Sequence, residues 1–356
     1  MLKQCSAALW DEYDVAMLDL DGVVYVGAHA VPGAPEHLAR ARDAGMHLAY
    51  VTNNASRPPS MVAEHLRELG VPVADEDVVN SAQAAARLVA QQVPAGSAVF
   101  VIGGTGLFEA LAEQDLKPVQ TFVEDPVAVV SGYHPDLLWR TVIDGSILVR
   151  RGLPWVASNM DMTVPTAQGL GPGNGVLVTA VAEYAGRRPL VAGKPMTPLF
   201  EETRLRVGGE HPLVVGDRLD TDIEGATAAG LDSLLVMTGV TGIDELVVAA
   251  PDRRPTYLSA DLSGLGEPQP IPDGPDDHGG YALAGWRARI EDGVLEVEGD
   301  GPVGDWWRVL VAAAWDHLDT TAEPVRTAGL HAPGSVSRDE ARAPKTRVRE
   351  DGDSNE

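Results

Sequence analysis

Residues 15–22 read VAMLDLDG, a short apolar run that ends in two aspartates and a glycine. A run of this length that stops at a turn residue is typical of a buried strand in a parallel sheet. The two carboxylates, Asp19 and Asp21, would then lie just beyond the carboxyl end of that strand. Because ligands bind at this edge of open α/β sheets, the stretch predicts both the fold class and the position of a site.

The same alternation of apolar runs and helical segments continues on both sides of a long insertion. The predicted strands cover 47–51, 213–215 and 233–237, and the predicted helices cover 34–45, 59–69 and 221–229. Strands that alternate with helices imply right-handed crossovers and a parallel sheet. Thr52, Asn53 and Asp217 also follow predicted strands, so we expect them to converge with Asp19 and Asp21 at one edge.

The insertion has strands and helices of its own and predicts an α/β domain over 82–188, which divides the core into 1–81 and 189–262. Its predicted strands cover 99–102 and 128–130, and its predicted helices cover 82–92, 105–114 and 174–185. Two glycine-rich stretches, 103–106 and 171–175, lack the lysine and hydroxyl spacing of a P-loop. We interpret both as turns that enter helices.

The chain changes character after residue 262. Residues 264–280 are rich in Gly, Pro and Asp and predict a linker. Residues 281–320 predict a small βα unit with a tryptophan-bearing helix over 304–318, so that 263–323 forms a C-terminal extension. The extension is too short for a full acetyltransferase, and we interpret it as a packing or interaction element. The polar residues 324–356 predict a disordered tail.

The composition excludes several classes of partner. The chain of 356 residues carries 27 Lys and Arg against 52 Asp and Glu, a net charge of −25. Such a surface repels nucleic acid and anionic lipid. It also repels phosphate, so an enzyme acting on phosphate would need a local positive centre such as a divalent metal.

Cys5 is the only cysteine, which excludes an intrachain disulfide and a cysteine zinc cluster. No stretch has the roughly 20 apolar residues that span a bilayer, and we find no signal peptide, so we expect a soluble cytoplasmic protein.

Four separated segments share one pattern of chemistry. They are Asp19-Leu20-Asp21-Gly22-Val23, Thr52-Asn53-Asn54, Gly193-Lys194-Pro195, and Gly216-Asp217-Arg218-Leu219-Asp220-Thr221-Asp222. Taken singly, an Asp-X-Asp is often a solvated loop, a Gly-Lys-Pro is usually a turn, and a Gly-Asp after a strand is commonly a cap. Their order, strand context and spacing together indicate a site.

These segments resemble the four motifs of the haloacid dehalogenase superfamily. The insertion between the second and third segments is similar to that of the NagD-like branch, which includes glycerol 3-phosphate, phosphoglycolate, pyridoxal phosphate and nucleotide phosphatases. The stretches 157–161, 165–166 and 171–175 are similar to cap segments of that branch. The resemblance covers about 12–262 and leaves out the last 90 or so residues. It implies a Rossmann-like parallel-sheet core with a large inserted α/β cap.

The resemblance also implies a role for each residue. Phosphomonoester hydrolysis needs an anionic nucleophile, an acid for the leaving group and positive charge on the phosphoryl oxygens. Asp19 would attack phosphorus and Asp21 would act as general acid and base. Mg²⁺ would bind the carboxylates of Asp19 and Asp217 and the backbone carbonyl of Asp21, with Asp222 a ligand through water or a brace. The residues implied in substrate binding are Thr52, Asn53 through its backbone N–H, Asn54 and Lys194.

The leaving group is the least determined part of the prediction. The candidate cap residues that would face it are Asn159, Asp161 and the loop around Gly132-Tyr133-His134. The expected partner is a small phosphorylated metabolite, with glycerol 3-phosphate first and 2-phosphoglycolate second, because an acidic cap favours an uncharged polyol. Nucleotide and pyridoxal phosphates stay open as substrates, and so does assembly into a homo-oligomer.

Two other classes of protein would place similar residues at a sheet edge. A non-hydrolytic phospho-acceptor or binding protein has no need of Asp21, because a carboxylate two residues past the nucleophile promotes turnover of the phosphoryl group. A phosphotransferase or mutase would need a second phosphate-binding cluster on the cap, which is poor in Lys and Arg. The residues therefore favour a phosphatase.

Overall fold

The computed structural model describes residues 2–166 and 168–333. The strands in these residues are β1 (Val15–Leu18), β2 (Tyr25–Val26), β3 (His29–Ala30), β4 (His47–Thr52), β5 (Val78–Asn80), β6 (Ala98–Ile102), β7 (Lys117–Val119), β8 (Ala128–Ser131), β9 (Trp155–Ala157), β10 (Thr163–Thr166), β11 (Gly169–Pro172), β12 (Leu190–Val191), β13 (Pro212–Gly216), β14 (Asp232–Val236), β15 (Tyr257–Ser259), β16 (Tyr281–Leu283), β17 (Trp286–Glu291) and β18 (Val294–Gly299). The helices are α1 (Leu9–Glu12), α2 (Ala34–Asp43), α3 (Pro59–Glu68), α4 (Ser81–Ala90), α5 (Thr105–Glu113), α6 (Trp139–Arg150), α7 (Asn174–Ala185), α8 (Pro198–Val207), α9 (Glu224–Ala228), α10 (Ile243–Val247) and α11 (Val303–Thr321).

Six parallel strands form the core sheet, in the order β15-β14-β13-β1-β4-β5. Strand β1 is apolar throughout because both of its faces are covered. Ala16 and Leu18 pack in one hydrophobic cluster with helices α2 and α3, and Val15 and Met17 pack in another with α4 and α8. The predicted parallel α/β core is confirmed.

A second parallel sheet lies between β5 and β13 in the chain. Its strand order is β12-β9-β8-β6-β7, and β10 and β11 form a separate antiparallel hairpin. Strand β12 pairs with β9, so this sheet continues a few residues past the boundary predicted at 188. Helix α4 joins the two sheets, since the cluster that contains Ala82 and Ala85 also contains Val101 and Val130 of the second sheet.

The C-terminal extension has the predicted order of strands followed by a tryptophan-bearing helix. Three antiparallel strands, in the order β16-β17-β18, pack with the long helix α11. Helix α11 lies against β15 of the core, and its tryptophans share one hydrophobic cluster with Leu235 and Leu258. The extension therefore shares a core with the main domain.

The linker predicted over 264–280 is held in place. Gln269 is 1% exposed and exchanges two backbone hydrogen bonds with Cys5. The disorder predicted from residue 324 onwards is wrong for 324–333, because Val325 is buried and Arg326 bridges to Val294. The rest of that prediction, 334–356, lies outside the described residues.

Among the described residues, no helix combines the length and the apolar character that crossing a membrane requires.

Candidate active site

Charged side chains from three strand ends meet at the carboxyl edge of the core sheet. Asp19 follows β1, Lys194 lies in the loop between β12 and α8, and Asp222 lies in a π-type turn after β13. The Nζ atom of Lys194 is 2.6 Å from Asp19 Oδ1 and 2.7 Å from Asp222 Oδ1. Because Lys194 is only 4% exposed, this ammonium group forms two ion pairs shielded from water.

Three carboxylates at this edge form a group that could hold a cation. Asp19, Asp217 and Asp222 each offer an oxygen, and the three oxygens lie within 4.8 Å of one another. Asp217 Oδ2 accepts a hydrogen bond from the backbone N–H of Val240 at 2.6 Å. Asp217 Oδ1 is buried and has no partner among the described residues. Hard oxygen ligands with one unsatisfied buried carboxylate oxygen fit a divalent cation such as Mg²⁺.

The electrostatics of the group support the same interpretation. Burial and the charges of Asp19 and Asp222 raise the pKa of Asp217 to about 7. Burial also raises the pKa of Asp222 to about 6, although Lys194 opposes this shift. Burial alone would lower the pKa of Lys194, but the charges of Asp19 and Asp222 outweigh burial and raise it. One ammonium therefore does not balance three carboxylates, and a cation would hold all three in the charged form.

Two glycines make room for Asp217. Gly22 has a φ of +90°, and a Cβ atom there would lie 2.5 Å from Asp217 Oδ2. A Cβ atom on Gly239 would lie even closer to the same carboxylate oxygen. The loop after β1 and the loop after β14 can therefore approach Asp217 only without side chains at these positions.

Asp21 is exposed and does not belong to the three-carboxylate group. Desolvation by neighbouring residues raises the pKa of Asp21 against the charges of Lys194 and Arg57. An exposed carboxyl group that holds its proton more strongly than usual suits a general acid.

The second motif forms a compact loop after β4. Thr52 Oγ1 accepts the backbone N–H of Asn54, and Asn54 Oδ1 accepts hydrogen bonds from Ser56. The Asn53 side chain is nearly buried and bonds to Asp161 and to the backbone of Lys194. The side chains of Asn53 and Asn54 thus bond within the protein, and the substrate roles predicted for Thr52, Asn53 and Asn54 stay predictions.

A loop of the second sheet brings Asn159 and Asp161 over this motif. Asn159 Nδ2 donates to the carbonyl oxygen of Asn53 at 2.6 Å, and Asp161 Oδ1 accepts from Asn53 Nδ2 at 3.1 Å. In the other predicted cap loop, His134 lies against Gly104 at the start of α5. The structure therefore joins Asn159 and Asp161 to the core motifs, and the part that Tyr133 and His134 take in binding stays a prediction.

Two arginines near the site were not among the predicted residues. Arg57 is exposed. Burial raises the pKa of Asp21 and of Tyr25, and the charge of Arg57 offsets part of this rise. The guanidinium of Arg218 donates two hydrogen bonds to the carboxylate of Asp220, at 2.9 and 3.0 Å. Burial raises the pKa of Asp161, and the charge of Arg218 offsets part of this rise. Arg218 lies inside the quoted fourth motif, so its basic side chain between carboxylates was a visible signal.

Comparison with known proteins finds relatives that carry the same motifs. A family model described as haloacid dehalogenase-like hydrolase matches residues 16–117. A second model, described as HAD-hydrolase-like, matches residues 191–265. The two matched segments carry the four core motifs, and strands β8 and β9 of the second sheet lie between them.

Two relatives of assigned activity are similar over most of the chain. D-glycerol 3-phosphate phosphatase of Mycobacterium tuberculosis is 42% identical over 332 residues, which cover 90% of this chain and 88% of that protein. An acid sugar phosphatase of Staphylococcus aureus is 33% identical over 255 residues, which cover 71% of this chain and 96% of that protein. The mycobacterial match is too long to end at residue 262, so it extends into the C-terminal extension.

Solved structures give the same picture. The crystal structure of glycerol phosphate phosphatase Rv1692 from Mycobacterium tuberculosis in complex with magnesium matches with a TM-score of 0.80 and 39% identity, covering 90% of this chain and 94% of that chain. The 4-nitrophenylphosphatase of Thermotoga maritima matches with a TM-score of 0.67 and 28% identity, covering 72% of this chain and 98% of that chain.

Proposed function

The chain belongs to the haloacid dehalogenase-like hydrolases, and on this premise we propose that it is a magnesium-dependent phosphatase that converts glycerol 3-phosphate to glycerol and phosphate. The observation that carries the proposal is the contact of Lys194 with Asp19 and Asp222 beside the unsatisfied carboxylate oxygen of Asp217. This arrangement offers a nucleophile, a positive centre and a cation site within one cluster of side chains.

In the first half of the reaction, Asp19 is the nucleophile. One of its carboxylate oxygens forms a bond to phosphorus while the bond from phosphorus to the leaving oxygen breaks. Asp21 gives its proton to that oxygen, so glycerol leaves as a neutral alcohol. The raised pKa of Asp21 supports this role, because the proton is held until the oxygen develops charge.

In the second half, Asp21 acts as a base. Its carboxylate takes a proton from a water molecule whose oxygen attacks the phosphorus of the aspartyl-phosphate. The bond between Asp19 and phosphorus breaks, inorganic phosphate leaves, and both side chains return to their starting forms. Lys194 stabilises negative charge on the phosphoryl oxygens throughout, with Thr52 and the Asn53 N–H as further donors.

A magnesium ion fits the carboxylates of Asp19 and Asp217, with Asp222 as a further brace. Bound there, Mg²⁺ would supply positive charge that draws an anionic substrate to a chain of net charge −25.

We assign the second sheet as a cap that covers the leaving group. The predicted limits of the cap, 82–188, extend to Val191 when strand β12 is counted with its sheet. The supporting contacts are those of Asn159 and Asp161 with Asn53, because they bring cap side chains to the motif that would bind the phosphoryl group. The predicted core segments, 1–81 and 189–262, carry the remaining site residues.

Asp161 supports glycerol as the leaving group. One of its carboxylate oxygens is bonded to Asn53, and its charge acts near Lys194 and Arg218. A carboxylate at this place can accept hydrogen bonds from the hydroxyl groups of a polyol, and it repels a leaving group that is itself a carboxylate. The mycobacterial relative is named for the same substrate, which also favours glycerol 3-phosphate over 2-phosphoglycolate.

The test compares the two substrates by kcat/KM in the wild-type enzyme and in Asp161→Asn. We expect the wild type to prefer glycerol 3-phosphate, and the neutral amide to reduce that preference about tenfold, or about 1.4 kcal/mol of barrier. Glu183→Gln is the matched control, because Glu183 is an exposed acid of the cap on helix α7. A wild type that prefers 2-phosphoglycolate, or an unchanged preference in Asp161→Asn, would contradict the assignment.

A further inference from the structure

The side-chain amide of Asn53 connects three loops that come from distant parts of the chain. Its Nδ2 donates to Asp161 Oδ1 and to the carbonyl oxygen of Lys194, both at 3.1 Å. Its Oδ1 accepts the backbone N–H of Lys194 at 2.8 Å. Two donors and an acceptor are therefore in use, and the amide bonds to the protein instead of to substrate.

The third motif lies directly against this amide. A Cβ atom on Gly193 would lie 2.5 Å from Asn53 Oδ1 and 2.7 Å from the carbonyl oxygen of Ser158. The loop that carries Lys194 is therefore enclosed between the second motif on one side and the cap loop on the other. Any shift of the cap loop changes the space available to the backbone of Gly193 and Lys194.

The cap loop rests on Asn53 at a second point. Asn159 Nδ2 donates to the Asn53 carbonyl oxygen, and Asn159 Oδ1 accepts the backbone N–H of Asp161. The carbonyl oxygen of Asn159 accepts in turn from Asn174, at the first turn of α7. The contact thus continues from the core, through the cap loop, into a cap helix.

We infer that Asn53 is a positioning residue that couples the seating of the cap loop to the placement of Lys194. Lys194 meets Asp19 and Asp222 only with its backbone held on the Asn53 amide, and that amide is oriented by Asp161 of the cap. Docking of the cap and assembly of the positive centre are then one event. This inference rests on the proposed function for its importance in catalysis, but the coupling itself is a property of the protein.

The test perturbs the cap and measures Lys194. In the absence of substrate, amine-reactive labelling is quantified by peptide mass spectrometry in wild type, Asn53→Ala and Asp161→Ala. The side chains of Lys3 and Lys117 are 56% and 60% exposed and serve as internal references, whereas Lys194 is 4% exposed. We expect both variants to raise the labelling rate of Lys194 at least about fivefold relative to the references. In the wild type, the loop around Lys194 has to open locally before the reagent can reach the amine, and this opening requires free energy.

Asp161→Ala is the decisive variant, because the hydrogen bonds that link Asp161 to the backbone of Lys194 run through the side chain of Asn53. Glu183→Ala, which removes an exposed acid of helix α7, is the matched control and should leave the labelling of Lys194 unchanged. Wild-type protection of Lys194 in Asp161→Ala would overturn the inference. Thermal melts run beside the labelling show whether each variant is folded.

Kinetics give a second readout. On para-nitrophenyl phosphate, whose leaving group has no hydroxyl groups for Asp161 to recognise, we expect Asn53→Ala and Asp161→Ala each to reduce kcat. The kcat of the double variant should be no lower than that of the less active single variant, because both changes break the same connection. Losses that multiply in the double variant would contradict the coupling. A failure of glycerol 3-phosphate as the substrate would leave this result untouched, so the two proposals can fail separately.

Discussion

Trp315 of helix α11 connects the C-terminal extension to the core. It is 2% exposed, and its indole N–H donates to the carbonyl oxygen of Leu246 at 2.8 Å. The guanidinium of Arg254 lies 5.2 Å from its ring centroid and forks onto Asp319 of α11 at 2.6 and 2.7 Å. Removal of the ring should therefore destabilise the main domain as well as the extension.

The expected cost of Trp315→Ala follows from these contacts. Deleting a fully buried aromatic side chain destabilises a protein by about 3–5 kcal/mol. The carbonyl oxygen of Leu246 would also lose its hydrogen bond, so we expect a value near the upper end of this range. A domain of ordinary stability has about 5–15 kcal/mol in total, so the variant should unfold at much lower urea concentration. Trp315→Phe keeps most of the ring and loses the indole hydrogen bond, and should cost about 1–2 kcal/mol.

Urea unfolding followed by circular dichroism measures both free energies of unfolding. For folded molecules, we expect kcat on para-nitrophenyl phosphate to stay within about threefold of wild type, less than 1 kcal/mol of barrier. Leu219 and Ile223, which flank the turn of Asp222, belong to the same hydrophobic cluster as Trp315, so a larger loss would show that the extension also shapes the site. A Trp315→Ala protein within about 1 kcal/mol of wild type would refute the claim that extension and core share one hydrophobic core.

Three further predictions follow from the charges. Lys194→Met should reduce kcat on para-nitrophenyl phosphate by at least about a thousandfold, because it removes the buried cation beside Asp19; activity within tenfold of wild type would contradict this. EDTA should abolish turnover and Mg²⁺ should restore it, and full activity in EDTA would contradict this. Excess Ca²⁺ should inhibit turnover, because calcium takes more ligands at longer distances than magnesium. Asp232→Asn should destabilise the protein by about 1–2 kcal/mol at pH 7. Burial would raise the pKa of Asp232, but hydrogen bonds from Lys3 and Tyr13 hold it below 3.8, so the stability it contributes is present above that pH and lost as pH falls further. Urea unfolding of both proteins at pH 7 and near pH 3 checks this, and an unchanged difference between them would contradict it.

The core motifs could be predicted because their physical signals are local. Each of Asp19, Thr52 and Asp217 follows an apolar run that stops abruptly, and parallel strands bring such ends to one edge. The contacts of Lys194 with Asp19 and Asp222 bring together three residues for which the resemblance implied roles in one reaction.

Other features could not be predicted because their signals depend on tertiary contacts. Helix α6 begins at Trp139, and both Trp139 and the preceding Leu138 are exposed, so the apolar pattern of this helix is obscured. The hairpin of β10 and β11 is mostly exposed and contains two prolines and two glycines. The segment 264–280 has the composition of a linker, yet Gln269 pairs with Cys5 from the far end of the chain. Long-range pairing of this kind leaves no trace in a local window.

The contacts of the Asn53 side chain were hidden for a different reason. An asparagine after a threonine at a strand end suits a phosphate-binding loop, and the resemblance implied that its backbone N–H would bind substrate. The side chain holds Lys194 and Asp161, which lie more than 100 residues away in sequence. Spacing along the chain gives no sign of this additional use of the side chain.

The covalent step at Asp19 is the central claim, and trapping the phosphorylated enzyme tests it most directly. Asp21→Asn should still react with para-nitrophenyl phosphate, whose leaving group needs little help from an acid, but should fail to activate water for the second step. The variant is mixed with this substrate and Mg²⁺, quenched in acid and mapped by peptide mass spectrometry. The account predicts a burst of one equivalent of para-nitrophenolate per active site, together with a phosphoryl group on Asp19. Both should be absent from the double variant that carries Asp19→Asn and Asp21→Asn. A burst with the phosphoryl group on another residue, or release of phosphate from the double variant at the wild-type rate, would contradict it.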